Sequence, residues 1–249
     1  MSERRATSAT GRRALVTGGS GAIGGAVCRR LARDGHHVYV HSHRGVAVAE
    51  ALVGEIRAGG GEATLVSCDL TDGAATRASL EAVLERGPIQ VLVNNAGVHD
   101  DAVLPAMSAA QWQRVIDVSV NGFFNATQPL LLPMIRTRWG RIVNVSSVAA
   151  LIGNKGQVNY AAAKGALNSA TKALALEVAT RGITVNSVAP GIIGTPMTAG
   201  LFDAKALERL VPMNRLGSPE EVAAVVSFLV SEEAAYVTAQ VISVSGGMA

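Results

Sequence analysis

The chain has 249 residues, of which 49% are hydrophobic and 4% aromatic, and its formal net charge is +3. Its length and apolar content suffice for one large α/β domain, and no proline- or serine-rich linker divides it. The positive excess lies in the first thirteen residues, so a broad nucleic-acid-binding surface is excluded. We predict a flexible basic tail over residues 1–11 and a single domain over residues 12–249.

No apolar run follows the N-terminal arginines, and none elsewhere is long enough to cross a membrane. These patterns predict a soluble cytoplasmic protein. Cys28 and Cys68 lack the Cys-x-x-Cys spacing of a redox or zinc motif. We interpret them as small core residues and predict no metal site.

Short valine-rich runs alternate along the chain with longer stretches of helical periodicity. The runs lack strict alternation of apolar and polar residues, which is typical of strands buried on both faces of a parallel sheet. The pattern therefore predicts an α/β, doubly wound Rossmann fold with a seven-stranded parallel sheet flanked by helices. The predicted strands are 14–16, 38–40, 63–66, 91–93, 142–145, 183–185 and 241–244.

The first strand runs into a glycine-rich turn, residues 17–24, and then into a helix. In this context, backbone N–H groups approach a pyrophosphate, and the dipole of the helix favours its negative charge. We interpret the turn as a dinucleotide site, the alternative being a tight turn without a ligand. The predicted contacts are Gly18, Ser20, Gly21, Ile23 and Gly24.

The end of the second strand indicates which dinucleotide is bound. A NAD-preferring site usually has an acidic residue there, whereas this chain has His41, Ser42, His43 and Arg44. Arg44, helped by Ser42 or a histidine, is predicted to hold a 2′-phosphate, so NADP is favoured. Two alternatives stay open: Arg44 is a solvated loop residue, or the two histidines are half of a metal site.

Tyr160 and Lys164 are one helical turn apart and therefore share a helix face. An ammonium group near a phenol favours the ionised phenol, so Lys164 is expected to lower the pKa of Tyr160 from its usual value of about 10. Without further motifs, such a pair is an ordinary surface pair.

Further motifs follow the predicted strands in a fixed order. They are Asp69 after the third, Asn94-Asn95-Ala96-Gly97 after the fourth, Ser147 after the fifth, then Tyr160, Lys164 and Pro190-Gly191. Together with the glycine-rich turn, these motifs are specific. From about residue 12 to its end, the chain resembles the classical short-chain dehydrogenases/reductases.

The resemblance implies roles for these residues. Asp69 would contact adenine, the turn at Asn95, Ala96 and Gly97 would support the sheet and cofactor, and Tyr160 and Lys164 would also touch the cofactor. The nicotinamide would be held by Pro190, Gly191, Ile193 and Thr195, with Thr195 at the carboxamide position. The alternatives are that Asp69 caps a helix and that the asparagines satisfy backbone groups at a turn.

The resemblance also implies a mechanism. Nicotinamide delivers hydride to a carbonyl carbon while Tyr160 gives its proton to the developing alkoxide. Ser147 hydrogen-bonds the same oxygen, and Lys164 holds the nicotinamide ribose. Ser146 is expected to point the opposite way from an extended strand. The alternative for Ser147 is a cap on a turn.

Ser119 is a departure from the family pattern. It occupies the position where many relatives carry a fourth catalytic residue, an asparagine that supports a helix kink and a water leading to the lysine. Asn121 is about 200° further around a helix and is no substitute. Because a hydroxyl both donates and accepts, Ser119 is predicted to be catalytic through an altered proton relay.

Within the family, the chain is most similar to the β-ketoacyl-acyl-carrier-protein reductases, through residues 159–164, 181–186, 215–217 and 245–248. That similarity implies NADPH-dependent reduction of a 3-oxoacyl thioester to the 3-hydroxyacyl product. Ser119 and Asp100 favour a specialised polyketide or polyene pathway over housekeeping fatty-acid synthesis. The alternatives are a dehydrogenase or reductase that acts on a sugar, steroid or small alcohol or ketone, and a non-catalytic NADP-binding regulator.

Arg138 and Arg181 match positions that contact the acyl carrier protein in those reductases. Positive charge near the cleft would suit an acidic carrier, although Arg138 also fits a role at the end of the preceding helix. Residues 196–212 are predicted to form a mobile lid. By resemblance, the protein is expected to be a homotetramer assembled through its long helices.

Overall fold

The computed structural model describes residues 11–196, 198 and 200–249. Apart from Gly11, the predicted basic tail lies outside the described residues, as do positions 197 and 199 of the predicted lid. Seven parallel strands form one sheet in the order β3-β2-β1-β4-β5-β6-β7. The predicted doubly wound fold and its strand count are confirmed.

The elements of the fold alternate between strand and helix through most of the chain. The strands are β1 (Arg13–Val16), β2 (His37–Ser42), β3 (Glu62–Ser67), β4 (Val91–Asn94), β5 (Gly140–Val145), β6 (Ile183–Pro190) and β7 (Val241–Val244). The helices are α1 (Ala22–Arg33), α2 (Val46–Ala58), α3 (Gly73–Leu84), α4 (Ala109–Ile116), α5 (Gly122–Thr137), α6 (Ala149–Ile152), α7 (Val158–Val178), α8 (Ala204–Leu210) and α9 (Pro219–Val230). A π-helical segment, Asp117–Asn121, joins α4 to α5.

Both faces of the sheet are covered, which explains the absence of alternating polarity in the strands. Val16 and Val40 pack on one face in a core with α1, α2 and α9. Leu15 and Tyr39 pack on the other face in a core with α3, α5 and α7. Successive side chains of a strand point to opposite faces, so every strand position here needs an apolar or internally paired residue.

Strand β6 runs five residues beyond its predicted end at 185. The extension includes the polar residues Asn186 and Ser187, which are fully buried. Asn186 Nδ2 donates to Val237 O at 2.8 Å, and Ser187 Oγ donates to Asn168 Oδ1 at 2.9 Å. These hydrogen bonds offset the cost of burying polar groups, so the strand continues where the apolar pattern stops.

Because all seven strands are parallel, their carboxyl ends share one edge of the sheet. The loops after β1, β2, β4, β5 and β6 carry the predicted motifs to that edge. Ligands of doubly wound folds bind in the crevice outside this edge. Within the part of the chain that the structure describes, no helix is long and apolar enough to cross a membrane.

Candidate active site

A cleft of about 610 Å³ opens at the carboxyl edge of the sheet. Ser42, Arg44, Asp69 and Ser119 are not among the residues that line it. The predicted residues that line the cleft are Gly18, Ser20, Gly21, Ile23, Gly24, Asn95, Ala96, Gly97, Ser147, Tyr160, Lys164, Pro190, Gly191, Ile193 and Thr195.

The glycine-rich turn leads directly into helix α1, whose N-cap is Gly21 and which has no side-chain cap. The first backbone N–H groups of a helix have no intrahelical partner, and the helix dipole is positive at that end. Gly18 has φ +65°, and a Cβ on Gly24 would lie 2.2 Å from Gly18 O. Glycine is therefore required at both positions, and the turn fits a pyrophosphate.

Thr17 and Asn95 support this turn from below. Thr17 Oγ1 accepts hydrogen bonds from the backbone N–H groups of Asn95 (2.9 Å) and Ala96 (3.0 Å). Asn95 Nδ2 donates in return to the carbonyls of Thr17 and Gly18. The sequence analysis gave Thr17 no role, although its position before the first glycine was a usable signal.

Asn94 points away from the cleft into a row of buried polar side chains. Its Nδ2 donates to Thr127 Oγ1 at 3.0 Å and to Asn144 Oδ1 at 2.9 Å. Asn144 Nδ2 donates in turn to Thr171 Oγ1 at 2.8 Å. These hydrogen bonds join α5, β4, β5 and α7, so the role of Asn94 is structural.

At the end of β2, Ser42 Oγ lies 3.0 Å from Ser20 Oγ, and Arg44 is exposed. The carboxylate of Asp69 accepts from the Thr71 N–H, and this bond is the main cause of the lowered pKa of Asp69. The N-cap of α3 is Asp72, so the alternative interpretation of Asp69 as a helix cap is wrong. The adenine contact of Asp69 stays a prediction.

The two histidines of β2 face different partners. His41 is buried with its ring between Gly18 N and Cys68 O, whereas His43 is exposed with Nδ1 3.7 Å from Asp69 Oδ2. Strand β2 ends at Ser42, so His43 lies in the loop and its side chain does not follow the direction of the His41 side chain. Half of a metal site does not form, and no cluster of three metal-ligating side chains occurs among the described residues.

Ser147, Tyr160 and Lys164 meet at the centre of the cleft. Lys164 is buried, and its Nζ donates to Val145 O at 2.8 Å, at the end of β5. Two residues further along, the Ser147 side chain hydrogen-bonds the Tyr160 phenol. Ser147 Oγ also accepts from the Ala149 N–H at 3.1 Å. Ser147 therefore accepts a hydrogen bond within a turn and also faces the phenol, and its catalytic role stays a prediction.

Ser146 points to the other side, as predicted, since its Oγ donates to Lys164 O at 3.2 Å.

The pKa of Tyr160 is raised, so the expectation that Lys164 brings it below its usual value is wrong. Burial raises the pKa of Tyr160, the hydrogen bond with Ser147 opposes that rise, and the Asp101 carboxylate adds to it. The Lys164 ammonium lies 5.7 Å from the centre of the phenol ring and is hydrogen-bonded to Val145 O. Burial also lowers the pKa of Lys164 to about 8. Tyr160 is therefore a protonated donor at neutral pH.

Ser119 lies in the π-helical segment and is 2% exposed. Its Oγ has no hydrogen-bond partner within the described chain. A Cβ built on Gly97 would lie 2.9 Å from Lys164 Nζ and 3.7 Å from Ser119 Oγ, so the two groups converge beneath Gly97. Asn121 faces elsewhere, as predicted, because its Nδ2 donates to Asp117 Oδ1 at 2.7 Å.

Arg138 and Arg181 are not near the cleft of their own chain, and their contact with a carrier protein stays a prediction. Arg138 lies just before β5 and Arg181 just before β6, so both residues are at the amino edge of the sheet. The two exposed residues are neighbours, since Arg138 Nη2 donates to Thr180 O at 3.2 Å. Arg138 is also the C-cap residue of α5, as its alternative interpretation proposed.

Asn159, within the motif at residues 159–164, is a positioning residue to which no role was assigned from the sequence. Its side chain is completely buried. Its Oδ1 accepts from the Tyr160 N–H at 2.8 Å, and its Nδ2 donates to Asp100 O at 2.9 Å. These bonds fix the start of α7 against the loop after β4. A buried amide beside a candidate catalytic tyrosine was the available signal.

The sequence matches the family model for short chain dehydrogenases over residues 12–206. It is 43% identical to the 3-oxoacyl-(acyl-carrier-protein) reductase FabG of Aggregatibacter actinomycetemcomitans, over 94% of this chain and 98% of that protein. It is 44% identical to nodulation protein G of Rhizobium sp., over 96% and 98% of the two chains. A crystal structure of a candidate gluconate dehydrogenase from Agrobacterium tumefaciens superposes with a TM-score of 0.91 at 32% identity, covering 96% of each chain.

Proposed function

The chain belongs to the short-chain dehydrogenase family, and from that premise we propose that it reduces a 3-oxoacyl thioester to the 3-hydroxyacyl product with NADPH. The observation that carries the proposal is the meeting of Ser147, Tyr160 and Lys164 beside an uncapped, glycine-rich helix start. The cleft suits a nicotinamide dinucleotide, which supplies hydride to a carbonyl carbon when bound. The names of the 3-oxoacyl reductase relatives support the substrate class.

The residues of the cleft divide the remaining chemistry between them. Tyr160 holds the proton that the substrate oxygen needs as negative charge develops on it, because burial keeps the phenol protonated. Ser147 Oγ is hydrogen-bonded to that phenol and can donate to the same oxygen, which fixes the carbonyl in place. Lys164 supplies a buried ammonium beneath them, anchored on Val145 O.

Ser119 is proposed to replace the family's usual asparagine in proton supply. Its unpaired, buried hydroxyl and the Lys164 ammonium converge under Gly97. A water between them would have a donor on one side and an acceptor on the other, which is what a buried water needs. Proton return to Tyr160 is then routed past a hydroxyl instead of a carboxamide.

The choice of NADP over NAD rests on the end of β2. Ser20 and Ser42 form a hydroxyl pair there, Arg44 follows, and β2 ends without an acidic side chain. A phosphate is bound well by hydroxyl donors and a guanidinium group. Asp69, at the end of β3, would contact the adenine.

Cofactor choice is tested by Ser42→Asp. The new carboxylate should repel a 2′-phosphate and accept from a ribose hydroxyl, so the ratio of kcat/KM for NADPH to that for NADH should fall at least about tenfold. A ratio that favours NADH already in the wild type would contradict the NADP assignment.

The decisive test of the activity is NADPH oxidation with an acetoacetyl thioester, free and carrier-bound, compared with NADPH oxidation by sugar and steroid ketones and with NADP+ reduction by small alcohols. A thioester preference supports the proposal. A second candidate is oxidation of a sugar acid, favoured by the candidate gluconate dehydrogenase structure, and reduction of NAD+ or NADP+ with gluconate at a higher kcat/KM than thioester reduction would select it. Nucleotide binding without turnover on any substrate would leave a non-catalytic regulator.

The proposed assembly is a homotetramer formed through α5 and α7. Phe124 and Leu132 on α5 and Leu176 on α7 are 62%, 62% and 80% exposed, which are large exposed fractions for apolar side chains. A two-fold axis perpendicular to α5 and α7 would make each helix run antiparallel to its copy in the partner subunit. It would thereby bring the amino edge of one subunit toward the carboxyl edge of the other.

Such an arrangement would let Arg138 and Arg181 serve the cleft of a neighbouring subunit as the docking site for an acidic acyl carrier protein. Changing both to glutamate should raise KM for carrier-bound substrate and leave turnover of the free thioester unchanged. Equal effects on both substrates would remove the docking role. Light scattering of the variant confirms that its oligomeric state is retained.

A further inference from the structure

His41 holds the glycine-rich turn by its side chain and by its backbone. Gly18 N–H donates to His41 Nδ1 at 3.2 Å, and Gly19 N–H donates to His41 O at 2.7 Å. On the far side of the ring, Nε2 lies 3.1 Å from Cys68 O, in the loop after β3. One side chain therefore links the carboxyl ends of β1, β2 and β3.

The two partners of the ring determine its protonation state. A backbone N–H only donates and a backbone carbonyl only accepts, so Nδ1 must carry a lone pair and Nε2 a proton. The ring is then neutral, and it is 3% exposed. Adding a proton at Nδ1 would set two N–H groups against each other at the Gly18 contact. Gly18 would lose its acceptor at a residue with φ +65°.

We propose that His41 is the positioning residue of the glycine-rich turn, and that the turn is set for a dinucleotide phosphate only while the His41 ring is neutral. The inference rests on the proposed cofactor site, because it concerns the turn that would carry the pyrophosphate. His41 itself touches neither the cofactor nor the substrate.

The groups that face the His41 ring determine its pKa. Burial lowers the pKa of His41, the hydrogen bond to Cys68 O and the Asp69 carboxylate raise it, and His43 lowers it further. Cys68 adds a thiol whose own pKa is raised by burial, so it stays uncharged. Burial is the largest of these effects, so the ring is neutral at pH 7 and becomes charged only in more acidic solution.

Three substitutions separate the two contacts of the ring. In His41→Asn the carboxamide oxygen occupies the place of Nδ1 and keeps an acceptor for Gly18. In His41→Gln the longer carboxamide reaches the place of Nε2, serves Cys68 O and leaves Gly18 unpaired. His41→Leu removes both contacts while still filling the space.

The first readout is NADPH affinity at pH 7.5, measured by nucleotide fluorescence. We expect His41→Asn to stay within about threefold of the wild type, and His41→Gln and His41→Leu to weaken binding about tenfold or more. The kcat at saturating NADPH should change little in all three. Equal affinity of the Asn and Gln variants would overturn the positioning role, and this comparison stands even if His41→Leu fails to fold.

The second readout is the pH dependence of affinity, from pH 7.5 down to the lowest pH at which circular dichroism shows both proteins folded. Because a 2′-phosphate itself titrates near pH 6, NADH is measured beside NADPH. The wild type should lose affinity for both nucleotides as His41 becomes charged, while His41→Asn should retain the phosphate effect alone. Parallel pH profiles for the wild type and His41→Asn would overturn the proton dependence.

A third readout needs no nucleotide. Nitrogen-15 NMR of the free protein should show the His41 ring protonated on Nε2 alone at pH 7.5. Protonation on Nδ1 instead would refute the Gly18 contact. If no nicotinamide nucleotide binds at any pH, the proposed function fails, and the NMR result still decides the state of His41.

Discussion

The glycine-rich turn and the catalytic centre lie in one cleft, but they differ in how fully their polar groups are paired within the chain. At the turn, Thr17, His41 and Asn95 each satisfy two or more partners. At the catalytic centre, Ser119 Oγ has no partner, and Lys164 Nζ has one hydrogen-bond acceptor among the described residues. The polar groups of the turn are paired within the chain, whereas those of the catalytic centre are expected to find further partners in the bound cofactor and substrate.

The two regions differ in what their polar groups cost: the turn needs little ordering on binding, and the catalytic centre lowers the stability of the fold. A fully paired turn holds its shape before ligand arrives, so little ordering remains to be done on binding. A buried hydroxyl without a partner and a buried ammonium with one acceptor lower stability, and they are tolerated where they act on a substrate. Changes at the turn should therefore reduce both stability and affinity, whereas removing these groups at the catalytic centre should reduce rate without reducing stability.

The largest expected effect is on rate, from Tyr160→Phe. Removing the hydroxyl leaves the developing alkoxide without its proton donor, so kcat should fall about a thousandfold or more. NADPH affinity should stay within about threefold, because the turn is untouched. Stopped-flow and fluorescence titration measure the two quantities, and an equal loss in both would erase the distinction between the regions.

The second effect is on stability, from the buried ammonium of Lys164. Its pKa is lowered from 10.5 to about 8, so between these values the unfolded chain binds this proton more strongly than the folded chain. The contribution of Lys164 to the free energy of unfolding therefore rises across that window, by about 3 kcal/mol in total. Below pH 8 both states are protonated and the full penalty remains.

Urea unfolding of the wild type and Lys164→Met from pH 7.5 to 10.5 isolates this contribution. The wild type should gain stability relative to the variant as the pH rises, even though the variant is inactive throughout. A constant difference between the two proteins would show that the ammonium carries no burial penalty.

The third effect falls on the turn. Because a Cβ on Gly24 would lie 2.2 Å from Gly18 O, Gly24→Ala must displace the backbone of the turn. We expect a loss of about 2 kcal/mol in stability and about tenfold in NADPH affinity. Gly54→Ala is the matched control, since this helical position in α2 has open space around it and should gain stability. Similar outcomes for both variants would contradict the prediction.

The smallest effect concerns Ser119. Ser119→Ala removes a hydroxyl with no partner in the chain, so stability should be unchanged or slightly higher. Turnover should fall about tenfold if the hydroxyl helps to supply protons. Ser119→Asn, which restores the residue common in the family, is the rescue variant. Full activity in Ser119→Ala would remove Ser119 from the proton path.

Much of the fold was predictable because valine-rich runs and glycine-rich turns report locally on buried strands and tight connections. The polar end of β6 was not, since the burial of Asn186 depends on Val237, which is distant in sequence. The π-helical segment around Ser119 was equally hidden, because its side-chain pattern differs little from that of an α-helix.

In the candidate site, the sequence identified which residues meet but not which way each faces. The position of His41 behind the turn, and not beside a 2′-phosphate, depends on Gly18 and Cys68 together. The rise in the pKa of Tyr160 likewise depends on burial, which spacing on a helix does not report. Arg138 and Arg181 were misplaced because motif matching ignores the edge of the sheet at which a residue lies.

The bond from Lys164 to Val145 has an evolutionary consequence. It ties the lysine to the strand that carries Ser147 two residues later, so a shift of β5 moves both groups together. The distance between them is thereby independent of the loop segment around α8, which lies elsewhere in the chain. Insertions and replacements in that segment can explore new substrates while the reacting groups keep their spacing, which makes the scaffold tolerant of specialisation.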